Sequence, residues 1–305
     1  MASERTDGTV ACIGLFDGVH RGHRALISRA RAEADRRGIP LIVVSFDPHP
    51  LATVRPSAVP GSLATVPERI ALLEEAGADE VDVLRFDMEF SRQTPEEFAQ
   101  RILVERLCAR AVVVGENFRF GAAAAGDVAT LARLGDRLGF DTIVSELAAD
   151  REPWSSTRIR QHLASGEVAE ANRILGRPYS LPGIVVHGDH RGRELGYPTA
   201  NLHLDGAPVV PEDGVYAGWL VAAGERMAAA ISIGTNPQFE GLERRIEAYA
   251  IDRDGLDLYG QQVTVEFEAF LRPQAVFGSL AAFLGQMEAD VDRARGILGR
   301  AARIS

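Results

Sequence analysis

The sequence predicts a chain in two parts: an α/β half on a parallel sheet, then an antiparallel β-barrel with one terminal α-helix. Three observations carry this reading. Up to about residue 180, apolar runs of strand length alternate with helical patterns. Beyond Pro182, strand-like runs follow one another with Gly, Asp and Pro turns between them. One last helical pattern, Leu280–Ile297, follows the strands. Continuous apolar strands alternating with helices imply a parallel sheet covered on both faces, whereas strand after strand without helices implies antiparallel pairing.

In the first half the expected strands are Val10–Phe16, Leu41–Phe46, Val81–Phe86, Ala111–Gly115 and Asp141–Ser145. Between them lie helical patterns at Arg24–Arg37, Pro67–Ala76, Pro95–Cys108 and Asp127–Leu138. Gly38 sits where a C-cap belongs, and Thr94-Pro95 supplies an N-cap and a first-turn proline. Two short helices follow, one opening at Ser155-Ser156-Thr157 and one over Glu167–Leu175. The second half offers strands at Gly183–His187, Thr199–Leu204, Gly214–Val221, Met227–Ile233, Arg245–Ile251 and Gln262–Phe270. The expected boundary is residues 178–183, giving domains 1–180 and 181–305.

The stretch Gly14-Leu-Phe16-Asp17-Gly-Val-His20-Arg-Gly22-His23 follows the first strand and opens the first helix. A strand, a tight glycine-bearing turn and a helix N-terminus make a phosphate site, because free backbone N–H groups and the helix dipole face the ligand. His20 and His23 bracket Gly22, so two imidazoles can face a nucleotide as donors to charge developing on phosphates. The plainer reading is that the histidines only cap a helix. Polar signatures also follow the second and fourth strands, Asp47-Pro-His-Pro50 and Glu116-Asn117-Phe-Arg-Phe-Gly121, where a parallel sheet gathers its ligands. Arg158 and Arg160 lie in a first helical turn, an unfavourable place for a cation unless an anion joins it.

In the second half, Gly188-Asp-His-Arg191-Gly192-Arg193 reads as a flexible basic turn suited to phosphates. Thr199 and Asn201 are two apart, so on a strand they face one side, and their oxygens suit a hard cation such as Mg2+. Glu247, between Ile246 and Ala248, is placed to accept a proton from a substrate hydroxyl. Taken singly, a turn Thr or Asn and a strand-face glutamate are ordinary surface residues.

Composition narrows the chemistry. A net charge of −10 over 305 residues argues against a general nucleic-acid binder, so phosphate recognition must be local. All 33 basic residues are arginine, which excludes a Walker-A lysine, a protein-kinase strand lysine and Schiff-base chemistry. The two cysteines, Cys12 and Cys108, lie in apolar contexts and read as buried thiols, with no disulfide framework. No apolar run is long enough for a membrane span, the N-terminus lacks a signal-peptide core, and a cytoplasmic protein is expected.

Taken together, the blocks resemble the prokaryotic bifunctional riboflavin kinase/FAD synthetase family over nearly the whole chain. G-L-F-D-G-V-H-R-G-H, S-F-D-P-H-P, V-V-G-E-N-F-R-F-G and S-S-T-R-I-R are similar to its adenylyltransferase module, of Rossmann-like nucleotidyltransferase fold. G-D-H-R-G-R-E-L-G-Y-P-T-A-N-L, D-G-V-Y-A-G, I-G-T-N-P-Q-F and L-D-L-Y-G are similar to its flavokinase module. The resemblance implies phosphorylation of riboflavin to FMN by ATP, then adenylylation of FMN to FAD with release of pyrophosphate. It implies catalytic roles for His20, His23 and Arg160 in the first reaction centre and for Glu247 in the second. It places Gly14, Phe16, Asp17, Asp47, Asn117, Ser156 and Thr157 around nucleotide and flavin in the first module. Gly188, Arg191, Gly192, Tyr197, Thr199 and Asn201 take that place in the second, the last two also holding Mg2+. The chain departs from the family pattern at Ala122–Ala125, where a basic or polar residue is usual, at Leu15, and at Arg69, where lysine is common. The alanine run leaves two alternatives open: a paralogue with a live kinase and an impaired or redirected adenylyltransferase, or a non-catalytic flavin-binding protein.

Overall fold

In the computed structural model, which describes residues 8–146, 153–187, 196–235, 244–253 and 255–301, five strands form a parallel sheet. They are β1 (Thr9–Ile13), β2 (Leu41–Asp47), β3 (Glu80–Arg85), β4 (Ala109–Gly115) and β5 (Asp141–Ser145), bonded in the order β3-β2-β1-β4-β5. Successive strand residues serve opposite cores. Ala11, Ile13, Ile42, Val44, Val112 and Val114 pack with Phe98, Leu103 and Leu131 on one face. Val10, Cys12, Leu41, Val43, Ala111 and Val113 pack with Ile27, Ala30 and Leu73 on the other. The strand order reverses between β1 and β4, so the crevice at their carboxyl ends is the sheet's switch point.

The helices are bounded as their capping residues dictate. Helix α1 (Arg21–Arg37) ends at Gly38, whose φ of 67° is left-handed. A five-residue helix unforeseen in the sequence, α2 (Pro50–Val54), is capped by His49. Helix α3 (Val66–Glu75) opens with a capping box between Thr65 and Glu68. Another box, Thr94 with Glu97, starts α4 (Pro95–Phe98), which continues as a π-helix over Ala99–Arg106 rather than as the α-helix expected to Cys108. The widened turns end with Cys108 in the left-handed region at φ 50°. Cys108 is therefore half-buried, not the fully buried thiol expected, while Cys12 is fully buried and its thiol pKa is pushed up by that burial. Helix α5 (Val128–Leu138) follows a tight turn at Ala122–Ala124, where Ala123 and Ala124 are left-handed at φ 52° and 57°.

The contacts divide the chain into two compact units, Met1–Ser156 and Thr157–Ser305. That division falls earlier than the 178–183 expected from the strand pattern, and the packing gives the reason. After α6 (Ser156–Ala164) comes α7 (Val168–Leu175). Asn172 of α7 donates to the Phe267 carbonyl at 2.8 Å and accepts from the Tyr179 N–H at 2.7 Å. The helix thereby belongs to the strands that follow.

Those strands are β6 (Tyr179–Val186), β7 (Ala200–His203), β8 (Gly214–Ala222), β9 (Glu225–Thr235), β10 (Arg244–Ala250) and β11 (Gln262–Arg272). They close a barrel in the order β10-β7-β6-β11-β8-β9. Tyr179, Leu181, Tyr216, Ile231, Ile246, Val265 and Phe267 are buried in this unit. Gly218 permits close strand approach, since a Cβ there would lie 2.0 Å from the Glu266 carbonyl. Helix α8 (Leu280–Ala301) packs Val291, Ala294 and Leu298 on Val215, Ala217 and Trp219. A buried ion pair, Arg272 to Asp290 at 2.7 Å, ties it to the end of β11.

Cutting at residue 183 removes the first half of β6, including Tyr179 and Leu181, each 1% exposed. Losing two such side chains costs about 5 kcal/mol or more, comparable to a small domain's whole stability of roughly 5–15 kcal/mol. A fragment of residues 157–305 is expected to melt cooperatively by circular dichroism, and one of residues 183–305 to show no transition. Equal melting of the two fragments would show that α7 and the start of β6 are dispensable.

Candidate active sites

The turn after β1 is held from several sides. The Gly14 N–H donates to the Val44 carbonyl at 3.1 Å, and the Leu15 carbonyl accepts from Ser45 Oγ at 3.0 Å. Phe16 and Val19 both adopt positive φ, 53° and 40°. Such non-glycine residues cost of order 1–3 kcal/mol each and persist only where surrounding structure imposes them. Phe16 is fully buried and its ring lies against Gly14, where a Cβ would approach within 3.0 Å. Its edge meets His23, with centroids 5.2 Å apart. Phe16 thus supports the site from beneath and has no surface for a ligand. Asp17 is also buried; its Oδ1 accepts from the Leu63 N–H at 3.0 Å, and its carbonyl accepts from Ser156 Oγ at 2.9 Å.

His20 is the N-cap of α1. Its Nδ1 accepts from the backbone N–H groups of Gly22 and His23 at 3.1 and 3.4 Å. The capping expectation is therefore met, and the cap takes two of the backbone N–H groups that the sequence pattern offers to a phosphate. With Nδ1 accepting twice, the neutral ring carries its proton on Nε2 and presents a donor there. The rings of His20 and His23 stack with centroids 3.6 Å apart. Burial first, and His20 second, hold the His23 imidazole well below the ordinary histidine range. Both features suit hydrogen-bond donation more than proton abstraction.

Asp47 is exposed at the end of β2, and Asn117 is exposed in the loop after β4. Thr157 is exposed and Arg160 partly buried on α6, in the second unit. The sequence reading gave little weight to two residues that the structure places beneath the turn, Ser45 and Arg69. Both are buried, and nothing in local spacing signals a bond from α3 to the end of β1.

In the barrel, alternation decides which side chains share a face. Ile246, Ala248 and Ala250 are buried in the unit's core, so Glu247 points outward. Asn201 lies directly across from Glu247 on β7, and Ser232 directly across on β9, on the same face. Thr199 Oγ1 lies 3.4 Å from Glu247 Oε2, so the hydroxyl, amide and carboxylate expected to act together share one patch. Gln274, unforeseen in the sequence, donates to Ser232 Oγ at 3.0 Å and the Ile233 carbonyl at 2.7 Å. Tyr197 packs edge-on against Tyr249 at 5.2 Å and joins the α8 contact. Gly188, Arg191 and Gly192 lie outside the described residues.

A histidine-bearing turn at the switch point of a parallel sheet, and a carboxylate–hydroxyl–amide set on a barrel face, suit a two-site transferase of phosphate-bearing groups. Family models match both units: FAD synthetase over residues 2–158 and riboflavin kinase over residues 175–298. The bifunctional riboflavin kinase/FMN adenylyltransferase of Escherichia coli strain K12 is 37% identical over 295 residues, 96% of this chain and 94% of the relative. That of Bacillus subtilis strain 168 is 32% identical over 299 residues, again 96% and 94%. A solved structure described as a macrolide-efflux protein from Streptococcus pneumoniae superposes with a TM-score of 0.86 at 32% identity, covering 94% of each chain. Among the described residues, no helix is long and apolar enough to cross a membrane. The chain belongs to the bifunctional riboflavin kinase/FMN adenylyltransferase family.

The His23 ring, partly exposed but desolvated, gives a pH test. Folded His23 protonates less readily than unfolded His23, whose pKa is the ordinary 6.5. As pH falls below that value the unfolded chain takes the proton first, so stability drops by up to roughly 1.4 kcal/mol per pH unit. Above it the contribution is fully retained. Urea unfolding of His23→Gln should show a shallower loss between pH 6.5 and about pH 5 than the parent. Identical slopes would remove His23 as the titrating group.

Proposed function

We infer that the barrel unit carries the riboflavin kinase reaction on the Thr199–Asn201–Glu247 face, and that the α/β unit carries FMN adenylylation at the His20–His23 turn. The two activities belong to the chain through its family, and full-length similarity to bifunctional relatives disfavours both the impaired paralogue and the non-catalytic binder. The observation that carries the kinase assignment is the shared outward face of Thr199, Asn201 and Glu247. Glu247 takes the proton of the riboflavin 5′-hydroxyl as that oxygen attacks the γ-phosphorus of ATP, giving FMN and ADP. Thr199, 3.4 Å away, holds the carboxylate in place. The Thr199 hydroxyl and the Asn201 amide oxygen are hard donors that fit Mg2+, which takes one or two protein oxygens and would complete its shell with phosphate and water. Bound there with ATP, it would neutralise charge on the triphosphate.

In the α/β unit, the FMN phosphate oxygen attacks the α-phosphorus of a second ATP and pyrophosphate leaves, giving FAD. His20 Nε2–H, with Nδ1 fixed by two backbone donors, is oriented to stabilise the charge that builds on the phosphates. Asp47 and Asn117, on the loops flanking the switch point, are assigned to nucleotide and flavin. Ser156, Thr157 and Arg160 are assigned to the phosphates, and Gly188, Arg191, Gly192 and Tyr197 to the kinase substrates. The functional domains are assigned as 1–180 and 181–305, with α7 and the start of β6 packed on the barrel side of that boundary. Since both reactions consume ATP, we place the enzyme in the cytoplasm.

Incubation with riboflavin and Mg-ATP, resolved by chromatography, tests the pair of reactions together. Glu247→Gln should lose FMN formation by ~10²–10⁴-fold while still converting supplied FMN to FAD. His20→Ala should do the reverse, with FAD formation falling by the ~3–4 kcal/mol typical of a preorganised donor. Loss of both activities in either variant would sink the separate assignment.

A further inference from the structure

One buried cation belongs to neither reaction as assigned above. Arg69, in the first turns of α3, is only 6% exposed. Its Nη1 donates to the Leu15 carbonyl at 3.3 Å and its Nη2 to the Phe46 carbonyl at 3.1 Å. Leu15 belongs to the loop after β1, and Phe46 lies at the end of β2 just before Asp47. One planar guanidinium therefore spans the loop that carries His20 and the end of β2 that carries Asp47. Arg69 Nε is buried with no hydrogen-bond partner among the described residues. Desolvation lowers the pKa of the group, and the charges of Asp17 and Asp47 oppose that loss.

The placement of the bond to Leu15 matters more than its presence. The carbonyl of Leu15 belongs to the peptide plane that precedes Phe16, and rotation of that plane is the φ of Phe16. Arg69 Nη1 and Ser45 Oγ grip this one oxygen from two sides. They hold Phe16 at φ 53°, which turns its ring under His23 and lets the Val19 N–H close on the Phe16 carbonyl at 3.1 Å. His20 follows immediately as the cap of α1.

We propose that Arg69 is a positioning residue for adenylyl transfer: by fastening the loop after β1 to the end of β2 it sets the orientation of His20 and His23. This rests on the assignment of the His20–His23 turn to the phosphates of ATP. A positioning role predicts loss in the chemical step, because a displacement of about 1 Å at a donor can cost ~10²-fold in rate. Substrate held by the rest of the pocket would still bind.

The test uses the full-length enzyme with FMN and Mg-ATP. Arg69→Met keeps the bulk of the side chain and removes the charge and both bonds. Its kcat for FAD formation should fall ~30-fold or more with KM for ATP within about threefold, a split that marks lost transition-state contact. Riboflavin phosphorylation should stay within about twofold, since it is assigned to the other unit. Arg69→Lys keeps the charge and one bond and should restore kcat to within about fivefold of the parent. Ser45→Ala removes the second grip on Leu15 and should lower the same kcat several-fold, again with KM little changed. A normal kcat in Arg69→Met overturns the proposal. Should that variant not fold, Arg69→Lys and Ser45→Ala decide. Parental kcat in both overturns the proposal, and reduced kcat with an unchanged melting temperature supports it. His20→Ala with intact FAD formation would instead overturn the phosphate assignment of the turn, whatever Arg69→Met shows.

Discussion

The orientation of one peptide plane, that between Leu15 and Phe16, sets the shape of the turn after β1. It lies where β1 ends, at the point where the sheet order reverses. Everything downstream takes its direction from it: a buried ring, a closed turn, a helix cap, and two stacked imidazoles. A strained backbone of this kind needs an external hold, and the hold comes from β2 through Ser45 and from α3 through Arg69. The N-terminus of α1 then adds its dipole, with the Gly22 and His23 N–H groups already taken by the His20 cap.

The second unit solves a comparable problem by parity. In β10 the even-numbered Ile246, Ala248 and Ala250 are buried in the core, which turns Glu247 to the face that Asn201 and Ser232 share. A slip of one residue in β10 would bury the carboxylate and expose the core at once. The Glu247 face is thus protected by the same burial that stabilises the barrel. Gln274 extends this order past the end of β11, bonding across to Ser232 and Ile233.

The architecture was largely legible in the amino-acid pattern, and so was the placement of Asn201 and Glu247 on strands. Strand alternation and helix caps are local signals, and each expected strand has its counterpart within a few residues. What escaped is what tertiary contact decides. Phe16 and Asp17 sit inside a motif that reads as ligand-facing, yet both are buried beneath the turn. The π-helix at Ala99–Arg106 and the half-buried Cys108 depend on how that segment packs, not on its propensity. The alanine run gave a reason to doubt one activity. Its left-handed residues form a closed turn, with the Ala122 N–H on the Gln93 carbonyl at 2.7 Å. Arg69 stood out only as a variant of a lysine, since sequence spacing cannot show that its guanidinium reaches two other strands' ends.

Helix α7 carries a consequence for how such a chain is assembled and inherited. The two family models stop at residue 158 and resume at residue 175, leaving this helix to neither. Yet Asn172 is bonded into the first and last strands of the barrel at once. The segment between the two motifs is thus part of one unit. An exchange of modules between fused genes would therefore succeed only when the crossover falls before the helix, near Ser156, so the heritable unit is longer than the recognisable motif.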